Sequence, residues 1–184
     1  MPSHADSLNA LVAVGVSFAA AIIDHRTGCI PNRLVAIGAA IAVGTRLWLA
    51  AFLNGPSAIF SALIVSVLGA LACGLIPLAL YLGRGMGGGD VKLLAVCGIS
   101  LGPTIGLEAE LYAFGLGALY AFGRAAYGGV LWQTLRGSTL LLTNPIVPRR
   151  FQKQVAPSVL TPIRFGPAIC CGVVASIALH WSRA

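Results

Sequence analysis

Apolar residues are gathered into six long runs, and the polar and charged residues fall mostly between these runs. A helix that crosses the hydrocarbon core of a bilayer needs about 20 apolar residues, within a range of about 17–25. Each run is long enough to meet this requirement. The pattern therefore predicts an all-α integral membrane protein with about six transmembrane helices. The runs cover roughly residues 7–23, 34–53, 58–82, 91–107, 111–132 and 165–181.

Turn-forming and charged residues mark the breaks between the runs. Asn54-Gly55-Pro56-Ser57 is typical of a tight turn between runs two and three. Gly102-Pro103 lies within run four, and the acidic residues Glu108 and Glu110 mark the expected boundary between runs four and five. The first run has no basic flank before it and no Ala-x-Ala site after it, so we expect it to remain as a membrane anchor.

Composition agrees with a membrane location. Of the 184 residues, 58% are hydrophobic and only 9% are charged, whereas soluble domains contain about 25% charged residues. The 23 glycines are typical of transmembrane helices that pack closely through small side chains. The net charge of +7 is not accompanied by any nucleic-acid-binding motif, so we expect a lipid bilayer as partner and no nucleic acid.

The five cysteines include no C-x-x-C pair, and four of them fall inside apolar runs. A cysteine in such a run is most simply a small buried hydrophobic residue. The sequence therefore predicts no disulfide framework, no zinc or other metal site and no cofactor.

The basic residues predict the orientation in the membrane. With six spans, the loops after runs one, three and five share one side, and these loops hold most of the arginine and lysine. The positive-inside rule then places this side in the cytoplasm and both termini outside it. Residues 133–164 become a basic cytoplasmic loop within a single polytopic domain covering residues 1–184. The basic residues on this side are Arg26, Arg33, Arg84, Lys92, Arg136, Arg149, Arg150, Lys153 and Arg164.

Two of the five acidic residues, Asp24 and Asp90, adjoin apolar runs on this same side. A single aspartate at such a boundary is readily explained as a helix-end charge in the headgroup region, where its cost is small. Two on one face, with Asp90 in a glycine-rich turn, favour a chemical role. Asp24 and Asp90 are therefore the candidate catalytic residues.

A pair of carboxyl groups suits peptide hydrolysis, because an ionised carboxylate can take a proton from water while a protonated one polarises the scissile carbonyl. Two close carboxyl groups cannot both ionise cheaply, so they share a proton and can divide these roles. Asp90 opens run four, where a helix N-terminus favours negative charge, whereas Asp24 ends run one. We therefore hypothesise that Asp90 is the resting carboxylate and that Asp24 holds the proton.

The glycines before Asp90, at positions 85, 87, 88 and 89, allow positive φ and close approach of another chain. A flexible interhelical loop is the alternative explanation. A phosphate-binding loop is disfavoured, because neither G-x-x-x-x-G-K-[ST] nor a complete G-x-G-x-x-G is present. Lys92 is best interpreted as a cation extending toward water at a cytoplasmic helix end.

Three segments resemble the type IV prepilin peptidases, a family of intramembrane aspartic proteases with a GxGD motif. Residues 24–32, which run from Asp24 through Ile30-Pro31-Asn32, resemble the D-x5-I-P-N segment of that family. Residues 87–94 resemble its G-x-G-D-x-K-L motif, and residues 164–169 are similar to its P-[YF]-G-P-A-I segment, with Arg164 in place of proline. The resemblance implies that Asp24 and Asp90 are catalytic. It also implies a supporting motif of Gly87, Gly89, Lys92, Pro31 and Asn32.

The resemblance also implies an activity and a location. Members cut the short basic leader from prepilin or pseudopilin substrates at the cytoplasmic face of the bacterial inner membrane, and they work with pilus or secretion machinery. The chain resembles the short form associated with tight-adherence (Flp-type) pili, which has no methyltransferase domain. Two other functions remain open from the residues: a small proton-coupled transporter, since membrane carboxylates also relay protons, and a non-catalytic assembly factor.

Overall fold

The computed structural model describes residues 4–83, 85–128 and 164–183. These residues form helices and contain no strand, which confirms the all-α prediction. Residues 4–116 and 164–183 belong to one compact unit, and residues 117–128 are the described part of a second unit. The helices are α1 (His4–Thr27), α2 (Asn32–Asn54), α3 (Ala58–Leu82), α4 (Gly88–Tyr127) and α5 (Gly166–Arg183).

Among the described residues, the first four helices are long and apolar enough to cross a membrane, and α5 is a shorter apolar helix. Several such helices in one chain make this a multi-pass membrane protein. The count of six spans, the orientation of the termini and the single domain remain predictions. The predicted basic loop, residues 133–164, lies outside the described residues except for Arg164.

Helix α4 is bent back on itself. Its 40 residues would extend about 60 Å as a straight helix, twice the thickness of the hydrocarbon core. Gly102 breaks it with φ 80° and ψ 174°, and Pro103 has no N–H to continue the ladder. A Cβ on Gly106 would lie 3.1 Å from the Gly98 Cα, although these positions are about 12 Å apart along a straight helix. The second arm (103–116) therefore folds back against the first (88–101).

This bend corrects the predicted boundary between runs four and five. The break lies at Gly102-Pro103, whereas Glu108 and Glu110 lie inside the second helical arm. Glu110 is only 2% exposed. The prediction was wrong because it took acidic residues as markers of a loop, while the local backbone chemistry of glycine and proline decided where the helix ends.

Arg46 of α2 binds at the bend. The last carbonyls of a helix have no partner within the helix, and the Nη2 atom of Arg46 donates a hydrogen bond of 2.7 Å to the Ser100 carbonyl oxygen. A Cβ on Gly102 would lie 3.7 Å from the same nitrogen. Arg46 therefore contacts and caps the end of the first arm of α4.

Small residues bring the helix backbones together. Gly69 of α3 and Gly98 of α4 are in such close backbone contact that a Cβ on either one would overlap the carbonyl of the other. Gly172 of α5 also lies close to the second arm of α4, where its Cβ would be 2.5 Å from the Ala109 carbonyl oxygen. Dispersion contacts between closely packed small residues are a main source of helix association in lipid. The residues with no exposed surface in this core include Leu93, Ile169 and Val173.

Candidate active site

The two predicted catalytic residues lie at the same end of the helix bundle. Asp24 is in the last turn of α1 and is 6% exposed, while Asp90 is in the first turn of α4 and is half-buried. The carboxyl group of Asp90 interacts electrostatically with that of Asp24. The structure therefore brings together two acidic residues that are far apart in the sequence.

Asp24 is held by the beginning of α5. The backbone N–H of Gly166 donates a hydrogen bond of 3.0 Å to the Oδ2 atom of Asp24. A Cβ on Gly166 would lie 2.9 Å from the Cβ and from the Oδ2 of Asp24, closer than real Cβ atoms pack. Only glycine at this position allows α5 to approach the carboxyl group so closely.

This hydrogen bond bears on which of the two aspartates holds the shared proton. The first N–H groups of a helix are unpaired and favour negative charge, so Asp24 faces the N-terminus of α5 as well as ending α1. The sequence hypothesis gave a helix N-terminus to Asp90 alone. Its premise was incomplete, and the helix ends no longer distinguish the carboxylate from the protonated partner.

Asp90 is oriented by the turn that precedes it. Its backbone N–H donates a hydrogen bond of 3.2 Å to the Gly87 carbonyl oxygen, and the backbone of Gly87 is hydrogen-bonded to the Asp90 carboxyl group. An acidic residue at the third helical position that reaches back to the residue before the helix forms half of a capping box. The bond fixes the direction of the carboxyl group and also stabilises the start of α4.

The glycines of the 85–89 turn allow neighbouring groups to approach the backbone closely, and they do not adopt unusual backbone angles. None of them has a positive φ; the described glycines that do are Gly28, Gly55 and Gly102. A Cβ on Gly89 would lie 3.0 Å from the Cβ of Ile30, and a Cβ on Gly87 would lie 3.0 Å from the Oδ2 of Asp90. The expectation of positive φ is therefore wrong. The close approach seen here is to Ile30 and Asp90 of the same chain, and approach of a second chain stays a prediction.

The remaining motif residues join the two aspartate-bearing segments. The Nζ atom of Lys92 donates a hydrogen bond of 2.8 Å to the Oδ1 atom of Asn32, so Lys92 does more than extend toward water. Pro31 precedes the first turn of α2 with an extended backbone, at φ −66° and ψ 134°. Ile30, only 8% exposed, lies against Gly89. The I-P-N segment and the glycine–aspartate turn are thus in direct contact.

The chemistry that this arrangement offers is that of carboxyl groups. Within the described ranges, no group of three or more histidine, cysteine, aspartate or glutamate side chains is placed to hold a metal ion. His25, next to Asp24, is exposed. The site presents two carboxyl groups, and that of Asp24 accepts a hydrogen bond from a backbone N–H of α5.

The contribution of α5 is the part of the site that the sequence did not assign. Residues 164–169 were identified by resemblance, but no role followed from it. The signal was a glycine directly before a helix-forming apolar run, and such a glycine does not reveal which group approaches it.

Comparison with known proteins agrees with the geometry. The sequence profile of the type IV leader peptidase family matches residues 11–122, more than half of the chain, and this range includes Asp24, Asp90 and both contacting motifs. No curated protein and no solved structure gave a match. The chain therefore belongs to the type IV leader peptidase family.

Proposed function

We propose that this peptidase is an intramembrane aspartic endopeptidase in which Asp24 and Asp90 form the catalytic pair. The observation that carries the proposal is that two carboxyl groups from distant segments lie at the same end of the helix bundle, near enough to interact electrostatically. In a leader peptidase of 184 residues with only five acidic side chains, this is the pairing that an aspartic mechanism of peptide hydrolysis requires.

The reaction follows from the shared proton. One carboxylate removes a proton from water, and the oxygen of that water adds to the scissile carbonyl carbon. The protonated partner donates a hydrogen bond to the carbonyl oxygen as negative charge develops there. The carbon–nitrogen bond then breaks and the leaving amine takes a proton from the pair. The N–H of Gly166 supports the negative charge on Asp24 during this cycle.

The position of Asp90 along the helix bundle suits cleavage of a peptide bond near the membrane boundary. Helices α3 and α4 meet closely at Gly69 and Gly98. From that contact α3 continues for about 20 Å to Leu82, whereas α4 extends only about 12 Å to Asp90. The Asp90 carboxyl group thus lies below the end of α3, where a substrate helix leaving the bilayer would present its first unwound residues.

The substrate in this proposal is a prepilin-like protein of the Flp type, with a short basic leader followed by an apolar helix, cut at the cytoplasmic face of a bacterial inner membrane. The motifs in residues 24–32 and 87–94 support this substrate class through their resemblance to prepilin peptidases. Pilus or secretion machinery would then receive the product.

The test uses the full chain in proteoliposomes with a single-span substrate that carries a basic leader ending in glycine. Mass spectrometry of the product should show one new N-terminus at the leader boundary. The matched control is Glu108→Gln, which removes a half-buried carboxyl group of the same chain and should cleave at the unaltered rate. An intact substrate would contradict the proposal, and proton flux in its place would indicate a transporter.

A further inference from the structure

The last turn of α1, which carries Asp24, has a carbonyl that the helix itself does not satisfy. The Asp24 carbonyl oxygen accepts a hydrogen bond of 2.8 Å from the Gly28 N–H. The next carbonyl, that of His25, would normally pair with the N–H of Cys29. That N–H instead donates to the Thr27 Oγ1 at 3.3 Å. The His25 carbonyl therefore depends on a donor from elsewhere in the fold.

Arg164 is that donor. Its Nη1 atom donates a hydrogen bond to the His25 carbonyl oxygen. A guanidinium group is always charged, so the bond is charge-assisted. A positive charge at the C-terminal end of a helix is also favoured by the helix dipole. Arg164 therefore satisfies the orphan carbonyl and binds the end of α1.

The segment that contains Arg164 is attached at two further points. Gly166 donates its N–H to the Asp24 carboxyl group, and the ring of Phe165 packs against that of Phe114 with centroids 5.6 Å apart. Residues 164–166 thus contact α1 at both His25 and Asp24, and they contact the second arm of α4. A shift of the last turn of α1 would break the Arg164 and Gly166 bonds together.

We propose that Arg164 is a positioning residue, which keeps the Asp24 carboxyl group in register with the Gly166 N–H and with Asp90. The inference rests on the proposed function.

The experiment compares Arg164→Ala with Arg164→Lys, which keeps a charged donor. Arg33→Ala, which removes another exposed cation near Asn32, is the matched control. Hydrogen exchange of the amides at positions 24–29 is measured without substrate, and kcat and KM are measured with it. Loss of one charge-assisted hydrogen bond is expected to raise exchange about tenfold and lower kcat about tenfold in Arg164→Ala, with KM changed less than about twofold. Arg164→Lys should restore most of the protection from exchange and most of kcat. Arg33→Ala should match the unaltered protein in both measurements.

Unaltered exchange and kcat in Arg164→Ala would overturn the inference, and so would a change in KM alone, which would indicate direct substrate binding. The exchange measurement does not depend on cleavage. If the unaltered protein cleaved no substrate while Arg164→Ala still exchanged faster, the proposed function would be rejected. The attachment of α1 by Arg164 would then still be supported. Normal cleavage by every variant would reject only the positioning role.

Discussion

The backbone N–H of Gly166 donates a 3.0 Å hydrogen bond to the carboxyl group of Asp24, across 142 positions of the sequence. This bond makes the beginning of α5 part of the site, although the family profile ends at residue 122. It also explains why a glycine stands there, since a Cβ would lie 2.9 Å from the Asp24 Oδ2.

Replacing this glycine should displace the catalytic carboxyl group. We expect Gly166→Ala to lower kcat at least about tenfold, because overpacking of this kind costs about 1–3 kcal/mol. The control is Gly115→Ala, since a Cβ at position 115 would meet nothing within 4 Å. The rate of leader cleavage by reconstituted protein is the measurement. Equal rates for the two variants would count against the close approach of α5.

The contact between Gly69 and Gly98 should control whether the bundle assembles. A Cβ on either residue would overlap a backbone carbonyl, so we expect Gly69→Ala and Gly98→Ala to separate α3 from α4 and to lower the unfolding temperature markedly. Gly74→Ala is the matched control on the same helix, because its Cβ would lie an ordinary 3.6 Å from the Ala95 Cβ. Thermal unfolding in detergent measures the difference. If Gly74→Ala were as harmful as Gly69→Ala, close backbone packing would not be the cause.

Glu110 is expected to destabilise the fold without contributing to catalysis. Both of its carboxyl oxygens are buried without a hydrogen-bond partner among the described residues, and an unsatisfied buried polar group costs about 1–3 kcal/mol. We therefore expect Glu110→Met to raise the free energy of unfolding by about that amount and to leave cleavage intact. Denaturant unfolding provides the measurement, with the half-buried Glu108→Met as control. Loss of stability or of cleavage in Glu110→Met would show that this carboxyl group has a partner or a role.

The bond from Lys92 to Asn32 should couple the two motif segments energetically. A double-mutant cycle with Lys92→Met and Asn32→Ala measures the coupling in the free energy of unfolding. We expect about 0.5–1.5 kcal/mol, the usual net value of one hydrogen bond. Additive effects of the two substitutions would mean that the 2.8 Å contact does not stabilise the site.

Local patterns in the sequence predict the helices but not the contacts that depend on how the helices pack. Run length and apolar character predicted helices α1 to α4 because a bilayer requires both. The bend at Gly102-Pro103 was visible in the residues, but the burial of Glu110 was not, since it depends on how the second arm folds back. The glycines before Asp90 could have served positive φ or close approach, and only the position of Ile30 against Gly89 decides between them. The bond from Gly166 to Asp24 depends on the packing of two helices from opposite ends of the chain.

The central claim is that Asp24 and Asp90 act as one catalytic pair. The most direct test is the single-turnover rate of leader cleavage by Asp24→Asn, Asp90→Asn and the double variant, each checked for membrane insertion. Because residues that act as a unit are strongly non-additive, we expect each single change to lower the rate at least about 1,000-fold and the double change to lower it no further. Cleavage at the unaltered rate by either single variant would contradict the claim.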